Sequence, residues 1–332
     1  MSRCGAFIIS LDFELHWGVF DHTALDERSR AYFDRTRALI PPTLRLFEEY
    51  ALNASWATVG MLFARDREEL LSSLPQRRPR YTDARLDPYR VLEGVGEDEA
   101  ADPYHYAPTL IALIHATPGQ VIGSHTFAHY YCLEAGQQVE AFSDDLQAAQ
   151  HLMQRTGYGS ARALVFPRNQ YRHDYFAAVR RAGFETFRGN PTQWFWNVRS
   201  GEHTGRLQRV ARLSDNYLSG WGDTTFDGRL ANTAGVIEVP ASRFLRPYLS
   251  HLDGYGGQRL KLRRILSEMQ TAARQARSYH LWWHPHNLAT HPQKNMDALR
   301  EIAHHYQTLQ RTYGWESHSM ESFVDRTARM AR

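Results

Sequence analysis

Asp12 and Glu14 stand two residues apart where the apolar run Ala6-Phe7-Ile8-Ile9-Ser10-Leu11 ends, and His125 and His129 stand four apart just after Gly123. Side chains alternate along a strand, so the two acids point to one face. Acids at the end of an otherwise apolar strand are costly unless they meet a cation or hydrogen bonds. Two His at i and i+4 lie on one face of a helical turn and can reach a single ion. Two imidazoles and one carboxylate are the ligand set of a hydrolytic metal that keeps positions open for water and substrate. The remaining carboxylate can act as general base on a water, and a further His can protonate a leaving amine. Each feature alone has a plainer reading. Acids past a strand end are ordinary loop residues, and a chain with 17 His contains chance pairs.

Two more segments supply further parts. In Val165-Phe166-Pro167-Arg168-Asn169-Gln170, a proline at a strand end is followed by polar side chains and backbone N–H donors that suit an oxyanion. The same stretch would serve equally as a capped strand–helix turn. In Trp282-Trp283-His284-Pro285-His286-Asn287, a run of large aromatics ends in two His, either of which can act as the acid. Together the four segments carry the parts of a metal-assisted amide hydrolysis.

The elements that must position them alternate along the chain. Strands are expected at Ala6–Leu11, Ser55–Val59, Gln120–Ser124, Ala163–Phe166, Glu185–Phe187, Gly235–Val239 and Tyr279–Trp283. Helices are expected over 29–51, broken or restarted at Pro41-Pro42, and over 137–156, 173–182, 257–277 and 293–312. Strands separated by helices argue for an α/β fold, a distorted (β/α) barrel of about seven parallel strands, slightly short of the usual eight. Each of the four motifs follows a strand candidate, where such barrels build their sites. The expectation is one catalytic domain over 1–332, with loop insertions near 75–108 and 189–233. Trp194, Trp196, Tyr217 and Trp221 in the second loop suit stacking on sugar rings, or plain packing.

Composition narrows the class. Of 332 residues, 42% are hydrophobic and 23% charged, as in a soluble globular protein. A formal net charge of +3 does not argue for a nucleic-acid partner. The many Arg read as a solvated basic surface, or as attraction for an anionic substrate such as a sugar with phosphate or uronate groups. Cys4 and Cys132 read as reduced thiols. The first apolar run is too short for a signal segment, and no stretch approaches the ~18 apolar residues of a membrane span. A cytoplasmic protein without a membrane span is expected.

In order and spacing, the motifs resemble the polysaccharide deacetylase family, carbohydrate esterase family four, from about residue 6 to residue 290. The order is an acidic motif on the first strand, His-x-x-x-His, a Pro-containing strand end, and a C-terminal Leu-x-x-His at Leu281 to His284. Ala57-Thr58-Val59-Gly60 is also similar to the family's second strand. The resemblance implies a distorted barrel, one divalent metal of the zinc type, and removal of N-linked, sometimes O-linked, acyl groups from sugars. It makes His125 and His129 metal ligands and Asp12 the general base. Phe13 occupies the place of the family's second acid, the metal ligand, so Glu14 is the substitute; the choice between Glu14 and Asp12 as ligand stays open. His284 matches the general acid, with His286 as the alternative. The backbone N–H of Arg168 matches the oxyanion donor, and Trp17, Pro167, Asn169 and His286 fall at substrate-binding positions. Val165 stands where the family's third motif has an Arg that orients the base, and Arg168 is expected to take that role.

Ser10-Leu11-Asp12-Phe13-Glu14-Leu15-His16-Trp17-Gly18 and Phe166-Pro167-Arg168-Asn169-Gln170 look like a branch encoded with surface-polysaccharide biosynthesis enzymes. That implies an intracellular amino-sugar substrate, nucleotide- or lipid-linked, losing an N-acetyl group. Two other readings remain: a deformylase or other small-amide hydrolase on the same fold, and a non-catalytic carbohydrate-binding barrel.

Overall fold

Eight consecutive buried residues, Ala6–Phe13, form the first strand, β1, which pairs with three others in a ten-stranded sheet. The computed structural model of the chain describes residues 5–191, 193, 196, 215, 222–228 and 230–330. The further strands are β2 (Ala54–Thr58), β3 (Gln120–Ser124), β4 (Ala163–Leu164), β5 (Thr186–Gly189), β6 (Asn232–Thr233), β7 (Val236–Pro240), β8 (Arg243–Phe244), β9 (Tyr279–Trp283) and β10 (Glu316–His318). Among the described residues, nine of them follow the order β6-β7-β5-β4-β3-β2-β1-β9-β8, β10 pairs with β1, and β6 alone runs antiparallel, against β7. The seven expected strands are β1, β2, β3, β4, β5, β7 and β9, all parallel where they pair. The fold is the distorted α/β barrel, extended by three short strands that lack the length for a period-two signal.

β1 is buried on both faces, and the two faces meet different cores. Phe7, Ile9, Leu11 and Phe13 join the large apolar cluster under the surrounding helices. Ala6 and Ile8 join a small inner cluster with Ala57, Val165 and Val239, closed by Met320, Phe323 and Val324 of the last helix, Met320–Met330. The inner face of β1 therefore passes from Ile8 at the floor through Ser10 to Asp12. One edge of β1 pairs with β9 along Phe7–Leu11; the other is divided between β10 at Ala6–Ile8 and β2 at Ser10–Phe13.

The first helix, α1 (Glu27–Glu49), corrects the expected break at Pro41-Pro42, since both prolines lie inside it. Asp26 caps it by accepting the Ser29 N–H. A proline in a helix interior costs about 3 kcal/mol. Burial of Phe33, Ile40, Leu44 and Phe47 on this helix, at about 1.5–3 kcal/mol each, outweighs the loss. Of the expected loop 75–108, the described structure shows short turns at Ala84–Leu86 and Pro88–Gly94 leading to a helix, Pro108–Ala116. Most of 189–233, with Trp194, Tyr217 and Trp221, lies outside the described residues; Trp196 within it is half-buried. Among the described residues, no helix is long and apolar enough to cross a membrane.

Candidate metal centre

Glu14 follows the last residue of β1, and its carboxylate is buried between two imidazoles. Glu14 Oε2 lies 3.3 Å from His125 Nε2 and 3.2 Å from His129 Nε2. These three side chains are all buried, and their ligand atoms lie within 4.8 Å of one another, so the group could hold a metal ion. His125 continues from the end of β3, with its backbone N–H on the Thr58 carbonyl.

The path from His125 to His129 is not the helical turn expected from the spacing. Thr126 and His129 both adopt left-handed backbone, at φ 63° and 55°. Such residues cost of order 1–3 kcal/mol each unless their surroundings hold them. Asp145, fully buried on the helix Val139–Arg155, does the holding: its carboxylate accepts the N–H groups of Phe127 at 2.7 Å and Ala128 at 3.1 Å. Burial pushes the Asp145 carboxyl up to about 7, against the lowering effect of those two N–H groups. The loop thus presents both imidazoles inward without helical geometry. Asp145 is 16 residues beyond His129, and nothing in sequence links the two.

The donor set fits a cation. His125 Nδ1 is 2.8 Å from the Val165 carbonyl. A carbonyl only accepts, so Nδ1 carries a hydrogen and Nε2 is the ring atom turned toward Glu14. Among the described residues, buried Nε2 of His125 and Oε2 of Glu14 have no hydrogen-bond partner. A positive charge between these two atoms, a proton or a metal ion, satisfies both. Burial raises the Glu14 pKa, but His284, His125 and His129 together hold it well below the ordinary value, so the carboxylate is ionised. Burial likewise lowers His129, against Glu14. Gly18 makes the room: a Cβ there would come within 2.0 Å of Glu14 Cδ.

Asp12 lies on the same inner face, with a different partner. Arg188 of β5 is completely buried and donates to both Asp12 oxygens, at 2.6 and 2.7 Å. The guanidinium also donates to Ser10 Oγ and Asn169 Oδ1, and stacks over Trp282 at 4.1 Å. Ser10 in turn bonds His280 Nε2 at 2.8 Å, while His280 Nδ1 is tied to the Pro240 carbonyl. Burial raises the Asp12 pKa, but the Arg188 charge leads the opposing effects and the net direction is down. This corrects the expectation that Arg168 orients Asp12. The orienting Arg comes from the next strand. Sequence reading ended that strand at Phe187, so Arg188 counted as loop, although Thr186 and Arg188 flanking the outward Phe187 are a period-two signal.

Arg168 lies elsewhere in the rim. Its guanidinium pairs with Asp21 and stacks over Tyr131 at 4.2 Å, and Tyr131 Oη is 3.1 Å from His129 Nδ1. Arg168 and Asn169 have successive left-handed backbones after buried Pro167, which turn the chain sharply at the rim. Asn169 is engaged with Arg188, and its carbonyl accepts from Asn190. His284 Nε2 lies 3.6 Å from Asp12 Oδ2 and 3.7 Å from Glu14 Oε1; His286 Nδ1 is also 3.7 Å from that oxygen. The two rings stack, centroids 4.9 Å apart. His284 is the more open, at 24% side-chain exposure, whereas burial and then His284 push the His286 pKa down to about 4. Trp17 is a correction as well. It has no exposure, and its indole N–H donates to the His105 carbonyl, so it packs behind the site.

No family model matches this sequence, and no curated protein matches it. Solved structures do. A "putative polysaccharide deacetylase" from Mycobacterium smegmatis superposes with TM-score 0.63 at 12% identity, over 100% of this chain and 92% of that one. PuuE allantoinase gives 0.55 at 9% identity over 98% and 90%. The 4-alpha-glucanotransferase from Thermococcus litoralis gives 0.54 at 10% identity, over 98% of this chain and 40% of that one. At such identities the likeness establishes a shared fold.

Proposed function

We propose that this protein is a metal-dependent hydrolase of the polysaccharide deacetylase type that removes an N-acyl group, N-acetyl above all, from an amino sugar. The observation that carries the reading is the buried Glu14–His125–His129 group beside the Arg188-held Asp12. Glu14, His125 and His129 would hold one divalent ion, with zinc the expected metal. Bound there, the ion supplies polarisation of the acyl carbonyl and acidification of water.

The chain's own groups supply the proton transfers. Asp12, kept ionised by Arg188, accepts the proton of the attacking water. His284, 3.6 Å from Asp12 and open to the surface, donates a proton to the departing nitrogen. His286 packs against His284 and fixes its ring plane. The N–H of Arg168, in the left-handed turn after Pro167, would donate to the acyl oxygen. The one-domain organisation and the place in surface-polysaccharide biosynthesis, on an intracellular intermediate, belong to the same proposal and rest on the motifs of 10–18 and 166–170.

Elemental analysis of protein purified without chelator tests the ligand set. About one divalent ion per chain is expected, lost in Glu14→Gln and retained in Asp12→Asn, which loses turnover. Metal-free protein with activity indifferent to chelator would overturn the proposal. Release of acetate against formate from paired substrates separates deacetylase from deformylase.

A further inference from the structure

We propose that the cleft between the start of α1 and the turn Pro285–Thr290 is a subsite for an anionic group, phosphate or carboxylate, on the molecule whose acyl group is removed at the metal centre. This rests on the hydrolase reading and adds a substrate class to it. The cleft has a volume of about 660 Å³, and its walls include His22, Thr23, Arg28, Tyr32, Arg35 and His291. That is within the range of a small-molecule site, about 300–1,000 Å³.

Two contacts connect the walls of the cleft to the metal centre. The Tyr32 ring lies 6.0 Å from the His286 ring, and His286 lies against Glu14. His22 pairs with Asp21, which binds Arg168 at the rim. A sugar seated over Glu14 can therefore extend along Tyr32 into the cleft.

The charge of the walls is what selects the ligand. Several arginines elsewhere are matched by acids, as in Arg37–Glu99, Arg77–Asp144, Arg162–Asp325 and Arg300–Asp297. In the cleft, Arg35 spends only its Nε–H on a protein group, the Ala289 carbonyl at 3.1 Å. Among the described residues its terminal nitrogens make no hydrogen bond, and the Arg28 guanidinium makes no hydrogen bond or ion pair, though its charge acts on Asp26. Asp26, also in the wall, accepts the Ser29 N–H as helix cap and leaves the wall one positive charge in excess. Both arginine side chains are exposed at the cleft wall, and their planar donors fit phosphate or carboxylate oxygens. Of the two carboxylates of the neighbouring centre, Asp12 is already paired with Arg188, and an ion held by Glu14 would offset the other.

The test compares kcat/KM of the metal-loaded protein on N-acetylglucosamine, its 1-phosphate and an N-acetylaminouronic acid. At least a tenfold preference for one of the charged substrates is expected, and the preferred arm tells phosphate from carboxylate. Arg28→Gln and Arg35→Gln should each reduce that preference about tenfold, through KM, as expected for loss of one charge-assisted contact. Arg35→Lys should fall between. Equal kcat/KM for neutral and charged substrates, or a preference intact in both Gln variants, would overturn the subsite. Calorimetric titration with inorganic phosphate separates this from the hydrolase reading. Phosphate binding lost in the Gln variants, with no substrate turned over, keeps the subsite and removes the deacylation. Phosphate binding unchanged in both variants removes the subsite, whatever the turnover.

Discussion

Replacing Arg188 by Gln isolates what the arginine does for Asp12. Both side chains are buried, at 0% and 4% exposure, and two short charge-assisted hydrogen bonds join them. Two charges about 4 Å apart at an effective dielectric of about 20 attract by about 4 kcal/mol. Removing one member of a buried pair costs about 3–5 kcal/mol, because the other charge is left uncompensated. The cost depends on pH. In the native protein the Asp12 pKa is lowered, so the pair contributes stability above the ordinary carboxylate range, lost as pH falls through the folded value. Without Arg188, burial is the leading effect and raises the pKa, so the variant is worst at high pH and relaxes once Asp12 takes a proton. The stability gap between wild type and Arg188→Gln, read by denaturant titration, should be about 3–5 kcal/mol at pH 7–8 and shrink steadily toward pH 4. The acid limb of kcat/KM should move to higher pH, by one unit for each ~1.4 kcal/mol of lost interaction, while bound metal stays at the wild-type level. Arg188→Lys should restore part of both effects. A gap of equal size at pH 4 and pH 8 would show that Arg188 serves packing alone, and an unmoved acid limb would remove Asp12 as the base.

Two further outcomes follow from the same geometry. Gly18→Ala places a methyl group on the Glu14 carboxylate, so bound metal should fall at least tenfold, a loss typical of disturbing a ligand's support; retention of wild-type affinity by competitive chelation would refute the need for glycine. Acid should destabilise the fold well above the pKa of its carboxylates. Burial holds His280 neutral down to about 3 and His16 down to about 4, whereas the unfolded chain protonates near 6.5. Both groups contribute stability above pH 6.5 that is lost as pH falls toward those values, at about 1.4 kcal/mol per unit for each group. His280→Gln should flatten this slope between pH 6 and 4, and an unchanged slope would rule the residue out.

Much of the architecture was legible because buried parallel strands are short apolar runs, and seven of these stand out between amphipathic helices. The strands that escaped reading, β6, β8 and β10, are two or three residues long. The site was legible where its residues fall next to strand ends in the chain: Glu14, His125, His129 and His284. It was illegible where support crosses the sheet. Arg188 meets Asp12 across 176 residues, and Asp145 folds the His loop from the following helix. Trp17 was misread for a related reason: an aromatic beside a catalytic motif can face the cleft or the core, and local spacing does not tell which.

By itself the sequence determined the alternating elements, the four motif positions and the kind of chemistry they could do, because these depend on residue type and local periodicity. Only the tertiary structure decided that Glu14 rather than Asp12 joins the two His, that Arg188 rather than Arg168 holds Asp12, and that a left-handed loop rather than a helical turn presents the imidazoles. Those outcomes depend on which buried charges the barrel brings within a few ångströms. Burial makes an unmatched charge too costly to leave, so the pairing is settled by strands far apart in the chain that become neighbours in the sheet.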